Sequence, residues 1–262
     1  MNRIQARHIG QEFVQGIEEL IWPTSCVGCG VSGTLLCEGC KARLQWIDQR
    51  WACSKCGAPF GWLVCTQCKH DWIVDRCICA CVFDQLSAAM VTCFKDAREI
   101  RLGFYMAAIM EVALAEAGLW DEAVRSLAPG MDRDLDPYAI KLKQQALEFD
   151  CISFVPASHR AYLKRGFDHM ELIAQIIGGL LGIPVLDSLK RRSSEDQRNL
   201  QPDQRSKNLS LSMYAAVDVY GLNILLIDDV VTTGASMEVC AASLKARGAN
   251  SVVGLSFARV WS

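Results

Sequence analysis

The stretch that decides the fold is Ile224-Leu225-Leu226-Ile227-Asp228-Asp229-Val230-Val231-Thr232-Thr233-Gly234-Ala235-Ser236. Four consecutive apolar residues, 224–227, are typical of a buried strand in a parallel sheet. Two carboxylates follow at the C-terminal end of that strand, and a short segment rich in hydroxyl groups comes after them. Open α/β sheets bind ligands at this edge, so the sequence predicts a site there.

A helix and a further strand complete this unit. The apolar side chains of the predicted helix recur on one face at 3.6-residue spacing: Met237, Cys240, Ala241 and Leu244. Gly248 is predicted to end the helix, and 251–257 to form the next strand. The fold class predicted from this pattern is α/β, with an open and mostly parallel sheet.

The loop between strand and helix suits a phosphorylated sugar. A helix N-terminus offers free N–H groups and partial positive charge, and Gly234 lets the backbone approach a phosphate closely. Asp228 and Asp229 would repel a phosphate, but they can accept hydrogen bonds from sugar hydroxyls. These features predict a ribose 5-phosphate site. The alternative is a plain turn in which Asp supplies helix-terminal charge and Thr or Ser caps the helix.

Composition narrows the class of protein. The chain has 262 residues, of which 51% are hydrophobic and 21% charged, and its net charge is −2. This composition predicts a soluble globular protein with no global attraction to nucleic acid or anionic membranes. The sequence shows no signal-peptide pattern and no apolar run of transmembrane length, so a cytoplasmic protein is expected. Cysteines stay reduced there, and paired cysteines usually bind metal.

Cysteine spacing predicts metal binding in the N-terminal part. Fourteen cysteines are present, and eight of them form four Cys-x-x-Cys pairs. These are Cys26 with Cys29, Cys37 with Cys40, Cys53 with Cys56, and Cys65 with Cys68. Two such turns complete a tetrahedral set of four thiolates, which suits structural zinc. Whether each half closes its own site or the halves interlock is open, so one or two ions are expected. Buried apolar cysteines or redox pairs are the alternative.

We expect residues 1–75 to form an N-terminal helix (1–22) and this zinc module, and 76–262 to form the α/β domain. Five tryptophans of the N-terminal region are predicted to build a small core, with base stacking as the alternative: Trp22, Trp46, Trp51, Trp62 and Trp72. The alternating cysteines in 76–83 predict a strand that buries Cys77, Cys79 and Cys81.

The remaining segments supply a second candidate anion site. Residues 85–118 and 171–181 are helical in pattern, and 119–148 is a charged excursion. A second buried strand, 151–156, runs into a turn that carries Arg160, Lys164 and Arg165. These basic residues predict a second anion-binding site, and the alternative is a solvated basic loop. The polar segment 190–207 is expected to be a mobile loop. Such a loop could close over a reaction, serve as a disordered connection or contact nucleic acid.

The combination of motifs resembles the ComF/GntX family. The residues that carry the resemblance are the cysteine repeats, Val155-Pro-x-Ser-x-x-Arg160-x-x-x-x-Arg165-Gly-Phe167, Gln197-x-x-Leu200-x-x-x-x-Arg205-x-x-Asn208, and Asp228-Asp229-Val-Val-Thr-Thr-Gly234. The last of these also resembles the ribose-phosphate motif of phosphoribosyltransferases. The family joins a zinc module to a type I phosphoribosyltransferase domain and is linked to competence, the uptake of DNA. The chain departs from the family in its long excursion and in Asp168-His169, where Asn-Gln is expected.

The resemblance implies a site for 5-phospho-α-ribosyl 1-diphosphate (PRPP) with Mg²⁺. Asp228 and Asp229 would hold the ribose hydroxyls as the catalytic residues. The 5-phosphate would be bound by Val231, Thr232, Thr233, Gly234, Ala235 and Ser236. The pyrophosphate would be bound by Ala157, Ser158, Arg160 and Arg165.

Three functions remain open from the sequence. The first is phosphoribosyl transfer from PRPP with release of pyrophosphate, in competence. The second is a non-enzymatic accessory of DNA uptake that binds single-stranded DNA or a helicase. The third is a sensor of PRPP or a nucleotide. The sequence does not identify the acceptor of a phosphoribosyl group.

Overall fold

A computed structural model of the chain describes residues 24–68, 71–118, 149–191 and 213–261. The predicted helix 1–22, the excursion 119–148 and most of the loop 190–207 lie outside the described residues. The chain divides into two compact units, Met1–Leu44 and Gln45–Ser262. The second unit therefore contains the second group of Cys-x-x-Cys pairs together with the sheet, whereas the domain boundary near residue 75 stays a prediction.

The described part of the first unit contains one short helix, α1 (Glu38–Lys41). The elements described in the second unit are, in chain order, β1 (Arg76–Val82), α2 (Gln85–Lys95), α3 (Leu102–Glu116), β2 (Cys151–Phe154), α4 (His159–Arg165), α5 (His169–Leu181), β3 (Leu189–Arg191), β4 (Met213–Ala215), β5 (Asn223–Val231), α6 (Ala235–Ala246) and β6 (Ser251–Arg259).

The main sheet has the strand order β1-β6-β5-β2, and each neighbouring pair is parallel. Residues 224–227 of β5 are fully buried, because helices α3, α5 and α6 pack against the sheet. This explains why the strand is continuously apolar rather than alternating. Strands β3 and β4 form a separate antiparallel pair. The predicted fold class, α/β with a mostly parallel sheet, is confirmed.

Strand β5 is longer than the sequence pattern predicted. Asp228 and Asp229 were expected to follow the strand, but β5 continues through both of them to Val231, which pairs with Arg259 at the end of β6. The reason is that β6 extends equally far and supplies partners for the backbone. Successive side chains of a strand point to opposite faces, so the two carboxylates leave β5 in different directions.

The helical stretch predicted over 85–118 is broken near its middle. Helix α2 ends at Lys95 and α3 begins at Leu102. Between them, Arg98 has a φ of 58°, a left-handed conformation that no continuous helix accommodates. The break places Lys95 at a helix end, where its side chain reaches the carboxyl edge of the sheet.

Two further expectations are wrong. Lys190 and Arg191 were assigned to a mobile loop, yet they end strand β3, because their backbones pair with Tyr214 and Met213. The four described tryptophans do not form a common core, because Trp46, Trp51 and Trp62 are 43–53% exposed and only Trp72 of the four is buried; Trp22 lies outside the described residues. The strand predicted at 76–83 is confirmed as β1, and its three cysteines, Cys77, Cys79 and Cys81, are buried.

Candidate functional site

Asp228 and Asp229 lie at the carboxyl end of β5 and are buried, with 9% and 6% of their surface exposed. Each carboxylate accepts a hydrogen bond from the next backbone N–H: Asp229 donates to Asp228 at 2.9 Å, and Val230 donates to Asp229 at 2.7 Å. These bonds fix the two carboxylates at the strand end.

A lysine and a histidine face Asp229. The Lys95 ammonium forms an ion pair with the Asp229 carboxylate, and His169 Nε2 lies 3.4 Å from the same oxygen. Arg165 Nη1 lies 3.2 Å from His169 Nδ1, so we assign the arginine as the donor and the imidazole proton to Nε2. Arg165, His169, Asp229 and Lys95 thus form a connected polar network.

Burial shifts the pKa values of three groups in this region. Burial raises the pKa of Asp228 to about 7, although Lys95 and Arg191 oppose the shift by stabilising the carboxylate. Burial lowers the pKa of Lys95 to about 8. Burial, reinforced by the positive charges of Lys95 and Arg165, lowers the pKa of His169 to about 3, so the imidazole is neutral at pH 7. Groups with such shifts cluster at functional sites.

The predicted 5-phosphate segment, residues 231–236, is called here the phosphate loop. Thr232 and Thr233 are exposed, whereas Val231 and Gly234 are buried. Gly234 is the N-cap residue of α6, with a φ of 82° and no side chain to cap the helix. Ala235 N–H has a long contact, 3.4 Å, with the Thr233 hydroxyl. No side chain caps the N-terminus of α6, and an anion site at this position stays a prediction.

The predicted pyrophosphate turn begins beside Asp228, because β2 pairs with β5 and Val155 N–H donates to Ile227 O at 2.9 Å. The structure thus brings the predicted 5-phosphate and pyrophosphate sites to neighbouring strand ends. Ser158 caps α4 by accepting from Ala161 N–H at 3.2 Å, and Arg160 is exposed. Ala157 N–H, a predicted anion ligand, instead donates to Asp168 Oδ2 at 2.8 Å.

Asp168, which stands where the family resemblance predicts Asn, changes the hydrogen bonding of the turn after β2. Its carboxylate caps α5 by accepting from Met170 N–H at 2.9 Å and from Glu171 N–H at 3.4 Å, and it also holds Ala157. Asn can accept through only one of its two side-chain positions, whereas Asp accepts through both. Asp168 therefore adds both a negative charge and a competing acceptor where a pyrophosphate is predicted to bind.

Two separate groups of four cysteines meet in space. The first cluster is Cys26, Cys29, Cys37 and Cys40, and the second cluster is Cys53, Cys56, Cys65 and Cys68. Each half of the repeat therefore closes its own site, and the halves do not interlock. Within each cluster all four Sγ atoms lie within 4.8 Å of one another.

The geometry of both clusters fits zinc. Sγ–Sγ distances of 3.6 Å join Cys29 to Cys37 and Cys53 to Cys68. Tetrahedral zinc with bonds of about 2.3 Å needs sulfurs about 3.8 Å apart. In the first cluster, Arg43 Nη2 lies 2.9 Å from Cys40 Sγ, where it stabilises a thiolate. Four thiolates leave no open coordination position, so these sites suit a structural ion.

These features define a class of protein: a parallel α/β domain with paired carboxylates beside a helix N-terminus, in a chain that carries two four-cysteine clusters. DNA utilization protein YhgH from Salmonella typhi is 33% identical over 106 residues, covering 39% of this chain and 46% of that protein. The chain thus matches about half the length of that relative. Competence protein F from Haemophilus influenzae is 22% identical over 225 residues, covering 83% of this chain and 87% of that protein. These relatives confirm the resemblance predicted from the motifs.

Among solved structures, the chain is similar to the glutamine phosphoribosylpyrophosphate (PRPP) amidotransferase from B. subtilis, with 22% sequence identity and a TM-score of 0.32. The similarity covers 43% of this chain and 23% of that one. No family profile matches the chain. Within the described residues, no helix is both long enough and apolar enough to span a membrane.

Sequence reasoning missed three residues of this region. Lys95 and His169 lie far from Asp229 in the sequence, and only the packing of α2 and α5 brings them together. Arg259 is 3% exposed and donates to the carbonyl of Val231 at 3.0 Å. The predicted strand 251–257 ended before Arg259, so no sequence pattern indicated that this arginine is buried.

Proposed function

We propose that this chain binds PRPP with Mg²⁺ at the carboxyl ends of β2 and β5 and transfers its phosphoribosyl group with release of pyrophosphate. The observation that carries the proposal is the juxtaposition of Asp228 and Asp229 with the uncapped N-terminus of α6. The carboxylates suit the ribose hydroxyls, and the helix N-terminus suits the 5-phosphate. The neighbouring turn at the end of β2 is the proposed pyrophosphate seat.

Positive charge in the network supports this assignment. Lys95 pairs with Asp229, and Arg165 contacts His169 beside that carboxylate. Arg191 reaches the turn after β2, with Nη2 3.4 Å from Pro156 O. These cations would stabilise the negative charge that grows on a departing pyrophosphate. The oxygen donors of Asp228 and Asp229 fit Mg²⁺, which would be held mainly by the phosphates and would supply charge neutralisation when bound.

The proposed setting is DNA uptake in the cytoplasm. Its support is the similarity to competence protein F and DNA utilization protein YhgH. Eight thiolates in two clusters would also require a reducing compartment. A sensor that binds PRPP without turnover would use the same residues. Release of pyrophosphate, followed by ³¹P NMR, distinguishes transfer from sensing.

A second candidate function, binding of single-stranded DNA without catalysis, rests on exposed aromatic rings. The rings of Trp51 and Trp62 pack edge to face with centroids 5.2 Å apart, and each side chain remains accessible. Bases stack on such rings at about 1–3 kcal/mol each. Quenching of tryptophan fluorescence by a short oligonucleotide, lost in Trp51→Ala and Trp62→Ala, would support this candidate.

The test of the main proposal is a thermal melt with and without PRPP and Mg²⁺. Ligand at about a hundred times its dissociation constant adds roughly 2.7 kcal/mol of stability. We expect this shift in the wild type and its loss in Asp228→Asn/Asp229→Asn. Asp187→Asn/Asp218→Asn, which changes two exposed carboxylates, is the matched control and should keep the shift. No shift in the wild type at millimolar ligand would refute the proposal.

A further inference from the structure

Arg259 joins the second cluster to the phosphate loop. It ends β6 opposite Val231, and its guanidinium is buried. Nε donates to the carbonyl of Cys56 at 3.0 Å, and Nη1 donates to the carbonyls of Val231 and Thr232. One side chain therefore holds a metal-ligand residue and the start of the loop at the same time.

The chain just after the second cluster contacts the middle of the loop. The indole of Trp72 lies against Gly234 so closely that a Cβ on the glycine would be 2.0 Å from Trp72 Cη2. Gly234 has no Cβ and adopts a left-handed φ, so the ring and the loop backbone fit directly against each other. A displacement of Trp72 would remove the support of the loop at this point.

The next two residues contact the first turn of α6. The Glu238 carboxylate accepts from the backbone N–H groups of Ile73 and Val74, at 2.7 and 3.3 Å. Glu238 is 9% exposed, so these bonds replace water that the carboxylate would otherwise bind. Contacts that involve the second cluster and the segment after it thus reach the beginning and the middle of the phosphate loop and the first turn of α6.

The second cluster is itself fixed to the sheet. Ser54, inside its first Cys-x-x-Cys turn, accepts from Cys77 N–H of β1 at 2.8 Å. Cys53 and Cys56 belong to the same hydrophobic core as Met237 and Cys240 of α6. A four-thiolate site orders its turns only while the ligands are held together, because a module this short depends on its metal for folding.

We propose that metal occupancy of the second cluster sets the conformation of the phosphate loop, with Arg259 as the positioning residue that links them. The proposed consequence, which rests on the proposed function, is that metal at this cluster and ribose 5-phosphate at the loop strengthen each other's binding. Loss of metal loosens the Cys53–Cys56 turn and withdraws the Cys56 carbonyl from Arg259. The buried guanidinium must then find another acceptor, and it shifts the carbonyls of Val231 and Thr232 with it.

The test uses the full chain loaded with zinc and four single variants. Cys65→Ser removes one thiolate of the second cluster without altering Cys56, and Cys37→Ser is its counterpart in the first cluster. Arg259→Lys keeps the charge but loses the fork that bonds several carbonyls at once. Arg247→Lys, which changes an exposed arginine at the C-terminus of α6, is the matched control for Arg259→Lys.

The first readout needs no ligand. Native mass spectrometry should count two zinc ions in the wild type and one in each cysteine variant. Amide hydrogen exchange over 231–238 should be faster in Cys65→Ser and Arg259→Lys, and unchanged in Cys37→Ser and Arg247→Lys. If Cys65→Ser loses one zinc while exchange of the loop stays at the wild-type rate, the proposal is overturned. If that variant unfolds, Arg259→Lys decides, and unchanged exchange in it overturns the proposal.

The second readout is linkage. In equilibrium competition with a chelator, ribose 5-phosphate should raise the affinity of one zinc ion in the wild type and not in Arg259→Lys, because coupling between binding free energies is reciprocal. Its affinity should fall on the order of tenfold in Cys65→Ser and Arg259→Lys, within the range typical of coupled sites. If loop exchange responds as expected but neither the wild type nor any variant binds ribose 5-phosphate, the link between metal occupancy and loop conformation stands, whereas the mutual strengthening of binding and the proposed function fail.

Discussion

Replacement of Gly234 by alanine tests whether Trp72 shapes the phosphate loop. A Cβ at this position would lie 2.0, 2.6 and 2.8 Å from three atoms of the indole, and the residue has a φ of 82°. Two costs follow: a left-handed conformation for a residue with a Cβ costs about 1–2 kcal/mol, and overpacking costs about 1–3 kcal/mol. We expect Gly234→Ala to lower the free energy of unfolding by about 2–5 kcal/mol.

Gly182→Ala separates the two costs. Gly182 also lies at a helix end, with a φ of 68°, but nothing lies within 4 Å of the position its Cβ would take. This variant should therefore lose only the conformational part, about 1–2 kcal/mol. The assay is urea-induced unfolding followed by circular dichroism, with both variants compared with the wild type under the same conditions.

A double variant isolates the contact. Trp72→Leu removes the ring atoms that a Cβ at residue 234 would meet, so Gly234→Ala should cost about 1–3 kcal/mol less in that background. Equal losses of stability in Gly234→Ala and Gly182→Ala, together with no coupling in the double variant, would refute the packing of Trp72 on the loop.

Two further predictions concern charge. Because the pKa of Asp228 is raised to about 7, the native state retains a proton that the unfolded state releases above about pH 4, so ionisation of Asp228 lowers stability as pH rises from about 4 to 7. Asp228→Asn should remove this loss, and its stability relative to the wild type should rise with pH by up to about 1.4 kcal/mol per unit, in urea titrations from pH 5 to 8; a pH-independent difference would contradict the shift. Asp168→Asn should free Ala157 N–H, remove a negative charge and tighten PRPP binding on the order of tenfold by calorimetry, with about 1 kcal/mol or less change in stability. Unchanged affinity would show that the turn does not contact the pyrophosphate.

The site could be predicted where its chemistry is local in the sequence. Asp228, Asp229 and the phosphate loop are consecutive, so strand pattern, carboxylates and glycine could be interpreted together, and the structure places them at one sheet edge. The sequence was misleading about the end of β5, because a strand ends where its partner ends, and that partner is β6. Exposure of the tryptophans could not be predicted either, because it depends on what packs over them.

The sequence by itself determined the four Cys-x-x-Cys turns, the parallel α/β class and the loop between β5 and α6, because each depends on spacing within a few residues. Tertiary structure alone decided which cysteines share a cluster, that Lys95 and His169 meet Asp229, and that Arg259 joins Cys56 to the phosphate loop. Cys56 and Arg259 belong to segments far apart in the chain. The strand order β1-β6-β5-β2 brings such segments together. Each strand is apolar because helices cover both faces of the sheet, and this local pattern does not specify which strands become neighbours or which side chains meet at the sheet edge.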